Sequence, residues 1–470
     1  MTTEGPALLD GLRAVLAAND VITDPDLVET HRHDRAPGLG AGHPLAVVRP
    51  RTTGQVAAVV RLAVEHGVPI VPRGAGSGLS GGSNAVEGAL SVVLDRMDAI
   101  VEIDPVDGVA VVQPGVLNGR LRAAAREHGL WYAPDPASSE FCSIGGNVAT
   151  NAGGLCCVKY GVTRDCVLAL EVVLPDGSVT RLGHRSIKGV AGYDLTGLFV
   201  GSEGTLGLIT EATVRLLPLP APARTVVGVL PSLEAASAAV GTIVTAMRPS
   251  LLELLDRTTM RVVEEYRPLG LDTGAAALLI GQTDQPGEAG REEAVLLERA
   301  MREAGATEVV SSSDPAESEL LLAARRLAYP AYERLGRLFL EDVAVPRGRL
   351  GELIARVEAL SADGLTIGTF GHAGDGNLHP TVVARAGDEG ALAAASAAFE
   401  AIMDAALELG GTVTGEHGVG LLKRGGLARE LDAANRRLQR DIKRALDPRG
   451  LFNPGKALAA EPPRPRAPRP

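Results

Sequence analysis

The sequence predicts an α+β chain of two domains, on three observations. Its 470 residues exceed what one core holds, since single cores stop growing at roughly 250–300 residues. The stretch L-P-L-P-A-P-A over 217–223 puts three prolines within five residues, where a helix cannot run and an extended linker fits, so a boundary falls near 219. Beyond it, short apolar strands alternate with amphipathic helices in two rounds, which predicts a sheet covered by helices, with ferredoxin-like halves. No sequence repeat marks a duplication.

Before the linker, apolar residues at Val56, Val59, Val60, Ala63 and Val64 follow helical spacing over 55–66. Strands are predicted at 68–71 and 89–94, with a glycine loop between them. Further strands at 109–113, 169–174 and 207–216 are separated by turn dipeptides such as Asp107-Gly108 and Asp176-Gly177. In the second domain, 220–420, the order is strand 225–230, helix 233–247, strand 275–281, helix 288–304 and strand 307–310. The second round is strand 338–345, helix 350–360, strands 366–372 and 378–383, helix 392–409 and strand 412–416. The tail 459–470, with E-P-P-R-P-R-A-P-R-P from Glu461, has nothing to bury and is expected to be disordered.

Composition narrows the class. With 45% hydrophobic and 22% charged residues the chain can bury a packed core. A net charge of −11 gives no basic field for a nucleic-acid backbone. The first residues carry acids where a signal peptide needs positive charge, and no uncharged run reaches the roughly 20 residues of a transmembrane segment. The four cysteines, Cys142, Cys156, Cys157 and Cys166, lack C-x-x-C spacing and suit buried thiols in a reducing compartment. An iron–sulfur cluster, if used, would belong to another chain. The expected location is the cytoplasm, or the inner face of a membrane reached through a partner.

Residues 72–82 read P-R-G-A-G-S-G-L-S-G-G, and Gly76 to Gly81 satisfies G-x-G-x-x-G, with Asp95 near the position of a ribose-binding acid. That dinucleotide fingerprint requires a helix to start at the loop, and only 82–88 precede the next strand. What survives is a run of backbone N–H groups without Cβ obstruction, beside Arg73 and Ser77, able to wrap a pyrophosphate. A second glycine-rich stretch, S-I-G-G-N-V-A-T-N-A-G-G over 143–154, is followed by G-Y-D-L at 192–195 and G-S-E-G-T-L-G at 201–207.

These four segments, in this order, resemble the FAD domain of the vanillyl-alcohol-oxidase/p-cresol-methylhydroxylase superfamily. The resemblance implies a PCMH-type FAD-binding domain over 1–219. It implies that Arg73, Gly74, Ala75, Gly76, Ser77, Gly78 and Leu79 hold the FAD pyrophosphate. Pro136, Gly145, Gly146, Asn151 and Ala152 would line the flavin, with Gly204 and Ile209 along the adenosine side. Some members tether FAD through a histidine of the first loop; the matching position here is Ser77, so FAD is expected to be non-covalent.

In F-G-H-A-G-D-G-N-L-H-P over 370–380, His372 and His379 flank a turn-rich segment between two strand-like runs, and a hairpin there brings both imidazoles to one end of the sheet. V-T-G-E-H-G over 413–418 adds Glu416 and His417, which a regular strand would point to opposite faces; Gly415 and Gly418 relax that rule. Two histidines and a carboxylate suit a divalent ion such as Zn²⁺ with positions left open, and the remaining His417 can act as a base. With a 2-hydroxy acid, the ion would hold the hydroxyl and one carboxylate oxygen while His417 removes the proton and hydride leaves for flavin N5.

The same two motifs resemble the C-terminal domain of FAD-linked D-lactate dehydrogenases, D-2-hydroxyglutarate dehydrogenases and the glycolate oxidase flavin subunit. The resemblance implies His372, His379 and Glu416 as metal ligands and His417 as base. Arg325, in L-A-A-R-R over 322–326, matches the carboxylate-binding arginine of a W-x-x-R pattern whose tryptophan is Leu322 here; a guanidinium fork suits a carboxylate. Dicarboxylate-specific members place a lysine before the strand's acidic residue, whereas this chain has Leu340-Glu341-Asp342, so glycolate or D-lactate is expected. L-F-N-P-G-K over 451–456 resembles the family's closing motif, implying that 421–458 is a helical segment returning to the FAD domain with Asn453 at the flavin pocket.

The acceptor expected after the flavin is a separate iron–sulfur subunit, a quinone or a soluble carrier, with homo-oligomerisation left open. Two rivals remain: a metal-free FAD enzyme acting on another alcohol, and a non-catalytic flavin-binding subunit of a larger complex.

Overall fold

A computed structural model describes residues 4–36, 38–360 and 364–458; the predicted tail at 459–470 lies outside them. The first domain contains two main sheets. In the four-stranded one, Ala46–Val48 and Ile70–Arg73 run parallel on either side of Leu90–Val93. The crossover helix Thr53–Glu65 packs Val56, Val59, Val60 and Ala63 into its core. Thr52 caps that helix, its hydroxyl accepting from Gln55 N–H at 3.2 Å. The second sheet is five-stranded and antiparallel, in the order 100–104, 109–112, 208–215, 167–173, 179–183.

The second domain is built on one eight-stranded sheet. Its first half runs in the order Glu308–Ser312, Arg224–Leu230, Ala277–Thr283, Leu251–Asp256, all antiparallel. That is the 4-1-3-2 order of a ferredoxin-like βαββαβ unit. The second half joins it through Leu251–Asp256 against Leu365–His372, then continues to Asn377–Ala384 and Arg337–Leu340. Both faces are covered. Val226, Leu230, Leu252 and Leu254 face one core, with helices Leu233–Ala246, Gly287–Glu303, Leu350–Glu358 and Glu389–Glu408. Val227, Val229, Leu251 and Leu255 face the other, with Arg257–Tyr266 and Pro315–Glu333.

Two sequence expectations change here. The run 338–345 is two short strands, Arg337–Leu340 and Val343–Ala344, interrupted at Glu341 and Asp342. The strand expected at 412–416 is reduced to a single bridge, Thr412 opposite Ala344. The fourth strand of the second ferredoxin-like half is therefore vestigial, and the chain after Thr412 is released from the ladder. The helix Glu389–Glu408 is long and apolar enough to cross a bilayer by length and composition, yet Ala395, Phe399, Ile402 and Met403 are buried in the domain core.

The chain finally returns to the first domain. Ile442 and Leu446 of helix Ala433–Leu446 pack on the core of the five-stranded sheet. Leu451 and Phe452 enter the core of the four-stranded one, with Ile70 N–H donating to Leu451 O at 2.8 Å and Asn453 N–H to Ile70 O at 2.7 Å. Phe452 has no exposed surface, so Phe452→Ala should destabilise the first domain by about 3–5 kcal/mol. A lowered urea midpoint, followed by flavin release, checks this.

Candidate active site

A cavity of about 810 Å³ runs between the two domains, from the first glycine loop to the histidine cluster. Its first-domain end is a glycine cradle. Arg73, Gly74, Ala75, Gly76, Ser77, Gly78 and Leu79 all line it, as do Pro136, Gly145, Gly146, Ala152, Gly204 and Ile209. A Cβ on Gly74 would stand 2.5 Å from Ser143 Oγ and 3.4 Å from Gly146, so backbone alone fits between the two glycine stretches. Beneath the loop, the Arg73 guanidinium donates to His33 O at 2.9 Å and sits close under Gly76, bracing the loop.

Asn151 and Asn453 do not line the cavity, contrary to the expectation that both touch the flavin. Asn151 adopts a left-handed backbone (φ 56°) that closes helix Ile144–Thr150, and its side chain accepts from Arg164 N–H at 2.8 Å. The Asn453 amide donates to Gly82 O at 2.9 Å and Glu203 O at 2.7 Å. It clamps two lining loops from behind.

At the other end, the hairpin Leu365–His372 and Asn377–Ala384 registers Phe370 opposite His379 and His372 opposite Asn377. Three ligand atoms converge. His372 Nε2 lies 3.2 Å from Glu416 Oε1, His379 Nε2 lies 3.3 Å from the same oxygen, and the two Nε2 atoms are 3.3 Å apart. Donors at about 2.0–2.1 Å from a tetrahedral Zn²⁺ stand roughly 3.3–3.4 Å from one another, so the triangle fits a divalent cation. A wider group, Asp342, His379, Glu416 and His417, also has its ligand atoms within 4.8 Å of one another. Asp342 is already engaged: Oδ2 accepts from Glu416 N–H (2.9 Å), His417 N–H (2.8 Å) and Thr414 Oγ1 (2.8 Å), and Oδ1 from Asn377 Nδ2 (2.9 Å). The tighter triangle is the better cation site.

The His417 ring stacks on His379 at 5.1 Å between centroids and 9° between planes. Burial lowers its pKa to about 4, leaving it neutral at physiological pH and able to take a proton. His372 moves the other way: burial opposes its charge, but Glu253 and Glu416 outweigh that and hold its pKa well above the imidazole range. Burial likewise opposes ionisation of Glu416, yet His372 and His379 keep it well below the usual carboxylate range. Arg325 lines the cavity with its Cζ 4.8 Å over the Phe370 ring and its Nε bonded to Glu253.

Sequence reading passes over Glu253 and Glu203. Glu203 is 7% exposed with φ 52°, and its carboxylate accepts from Val419 and Gly420 N–H, both at 2.8 Å. It clips the loop that ends in His417 to the glycine cradle. In G-S-E-G-T-L-G the glycines are the visible signal, and the acid among them is the residue that crosses domains.

A glycine-lined cradle opens into the same cavity as the histidine and carboxylate cluster, and, with the family matches that follow, it places the chain among flavoprotein oxidoreductases. Residues 44–183 match the FAD binding domain family, and residues 219–457 match the FAD linked oxidases, C-terminal domain. The chain is 42% identical over 421 residues to the glycolate oxidase subunit GlcD of Bacillus subtilis, covering 89% of this chain and 90% of that one. It is 33% identical over 442 residues to a D-lactate dehydrogenase of Archaeoglobus fulgidus, covering 92% and 96%. Its fold is shared by p-cresol methylhydroxylase, with a TM-score of 0.81 over 98% of each chain at 20% identity. The chain belongs to the FAD-linked oxidase family.

Replacing Asp342 by Asn puts an amide N–H₂ where three donors converge. The Glu416–His417 turn should shift, and kcat should fall by roughly 10–100-fold, the usual cost of losing a group that orients ligands. Flavin content, read by absorbance, should stay at the wild-type level.

Proposed function

We propose that this protein oxidises a small D-2-hydroxy acid, glycolate or D-lactate, to its 2-oxo acid. The observation that carries the reading is the convergence of His372, His379 and Glu416 beside a neutral His417, in the same cavity as the flavin cradle. Bound FAD, held non-covalently, supplies the acceptor for the hydride leaving C2. His372, His379 and Glu416 would hold a divalent cation, for which Zn²⁺ suits the donor set, and it would supply Lewis acidity toward the substrate hydroxyl.

The chain's own groups do the rest. The Arg325 guanidinium, pinned at Nε, presents its terminal nitrogens to the substrate carboxylate. His417 takes the hydroxyl proton, its low pKa set by burial. Phe370, Tyr329 and Leu340 line this end of the cavity and keep water from the reacting carbon. A short substrate is favoured because Leu340 precedes Glu341, whose carboxylate pairs with buried Lys423 at 2.8 Å, so this strand offers a second carboxylate no cation. Relatives bearing the names glycolate oxidase subunit and D-lactate dehydrogenase support the same class. The word subunit in the first supports a separate electron acceptor; that it is met in the cytoplasm or at the inner face of a membrane is part of the proposal.

The test is anaerobic. Glycolate or D-lactate should bleach the flavin; L-lactate and D-2-hydroxyglutarate should do so poorly. Chelation should abolish bleaching and added Zn²⁺ or another divalent ion should restore it. A yellow protein indifferent to every acid defeats the substrate assignment, and chelator-resistant turnover defeats the cation. His417→Ala should lower kcat by roughly 10²–10⁴-fold, measured as the rate of flavin reduction, with FAD still bound.

A further inference from the structure

Glu253 sits on the strand Leu251–Asp256 with no exposed surface, and both its oxygens are used. Oε1 accepts from His372 Nδ1 at 2.7 Å. Oε2 accepts from Arg325 Nε. The two donors come from separate elements, the hairpin strand Leu365–His372 and the helix Pro315–Glu333. With Nδ1–H directed at Glu253, Nε2 is the nitrogen on which a cation would replace the proton, and it is the atom that meets Glu416 and His379. With Nε held and the guanidinium laid over Phe370, the paired edge of terminal nitrogens in Arg325 is left for a planar anion.

We propose that Glu253 is a positioning residue that couples cation binding to substrate binding. It sets the tautomer of a metal-ligating imidazole through one oxygen and aims the carboxylate-binding guanidinium through the other. This rests on the reading given under Proposed function. Because binding linkage is reciprocal, a hydroxy acid bound to Arg325 should tighten the cation site, and a bound cation should tighten the acid. Gln at this position cannot serve both donors, since its amide N–H₂ must face either Nδ1–H or Nε–H.

The experiment uses the full chain with FAD bound, stripped of metal. Zn²⁺ is titrated against a chromophoric chelator, with and without the hydroxy acid that bleaches the flavin, and KM is measured on the reloaded enzyme. Glu253→Gln should weaken Zn²⁺ binding by roughly 10–100-fold and raise KM, at unchanged flavin content. Arg325→Lys should raise KM and abolish the tightening of Zn²⁺ by substrate while leaving Zn²⁺ affinity in its absence unchanged. Should Glu253→Gln not fold, Glu253→Asp, which keeps the charge but shortens the reach so that one donor is lost, is titrated in its place and should weaken Zn²⁺ binding in the same direction. Wild-type Zn²⁺ affinity in Glu253→Gln or Glu253→Asp, or an unchanged KM in either, overturns the coupling. If His379→Ala binds Zn²⁺ as the wild type does, the cation site is elsewhere and the functional reading falls with it.

Discussion

The Asp342 carboxylate has no exposed surface, and a buried anion is tolerated only when its lone pairs are met and its charge is balanced. Two backbone N–H groups, a hydroxyl and an amide meet them. Burial works against ionisation, but His417, Lys423 and His379 bring its pKa down to about 2. The two backbone donors belong to Glu416 and His417, so satisfying this anion dictates where the chain after Thr412 goes. Had the strand continued through 417, the successive N–H groups of Glu416 and His417 would point to opposite sides and could not both reach Asp342 Oδ2, and their side chains would alternate across the sheet. A vestigial fourth strand is thus a condition of having the Glu416 carboxylate and the His417 imidazole side by side.

The second requirement is that this turn meet the flavin cradle. Glu203 satisfies it with two N–H···O bonds to Val419 and Gly420, and Asn453 fixes the carbonyl of that same glutamate. One buried acid is therefore held from the C-terminal segment while it holds the loop of the second domain. The returning residues Leu451 and Phe452 serve more than the stability of the first core, because the clamp on the cradle is carried by the residue that follows them. The contact of Lys159 and Tyr160 with Asp284 adds a further tie between the domains away from the cluster.

What the sequence reveals follows how local each signal is. The glycine cradle is legible because a chain free of Cβ atoms leaves glycines in runs, and thirteen of the expected cofactor residues line the cavity. The hairpin between His372 and His379 is legible because A-G-D-G-N can only turn. The strand Leu251–Asp256 escapes periodicity, since both its faces are buried and L-L-E-L-L-D shows no alternation. Glu253 then reads as an interruption of an apolar run, when it is the residue that joins His372 to Arg325. Asn453 looks like a pocket residue from its motif, but its amide is turned to two carbonyls behind the loops. Partners that lie 100 residues or more away, as Glu253 and His372 do, leave no trace in spacing.

The same burial has opposite consequences within a few ångströms. Desolvation outweighs what His417 receives from Asp342, within 4.8 Å, and from Glu416 at 3.8 Å, and the neighbouring His379 counts against its charge, so its imidazole stays neutral. His372 has Glu253 at 2.7 Å and Glu416 at 3.2 Å, enough to favour positive charge at its position. A cluster that draws positive charge to one imidazole and denies it to another has already separated two tasks. The first suits holding a cation, where the ring's own proton is directed to Glu253 and Nε2 is left to coordinate. The second suits accepting a proton, where neutrality is the working state. Distance to a carboxylate, rather than residue type, sets the division, and two of the deciding carboxylates, Glu253 and Asp342, lie outside the two short motifs that carry the histidines.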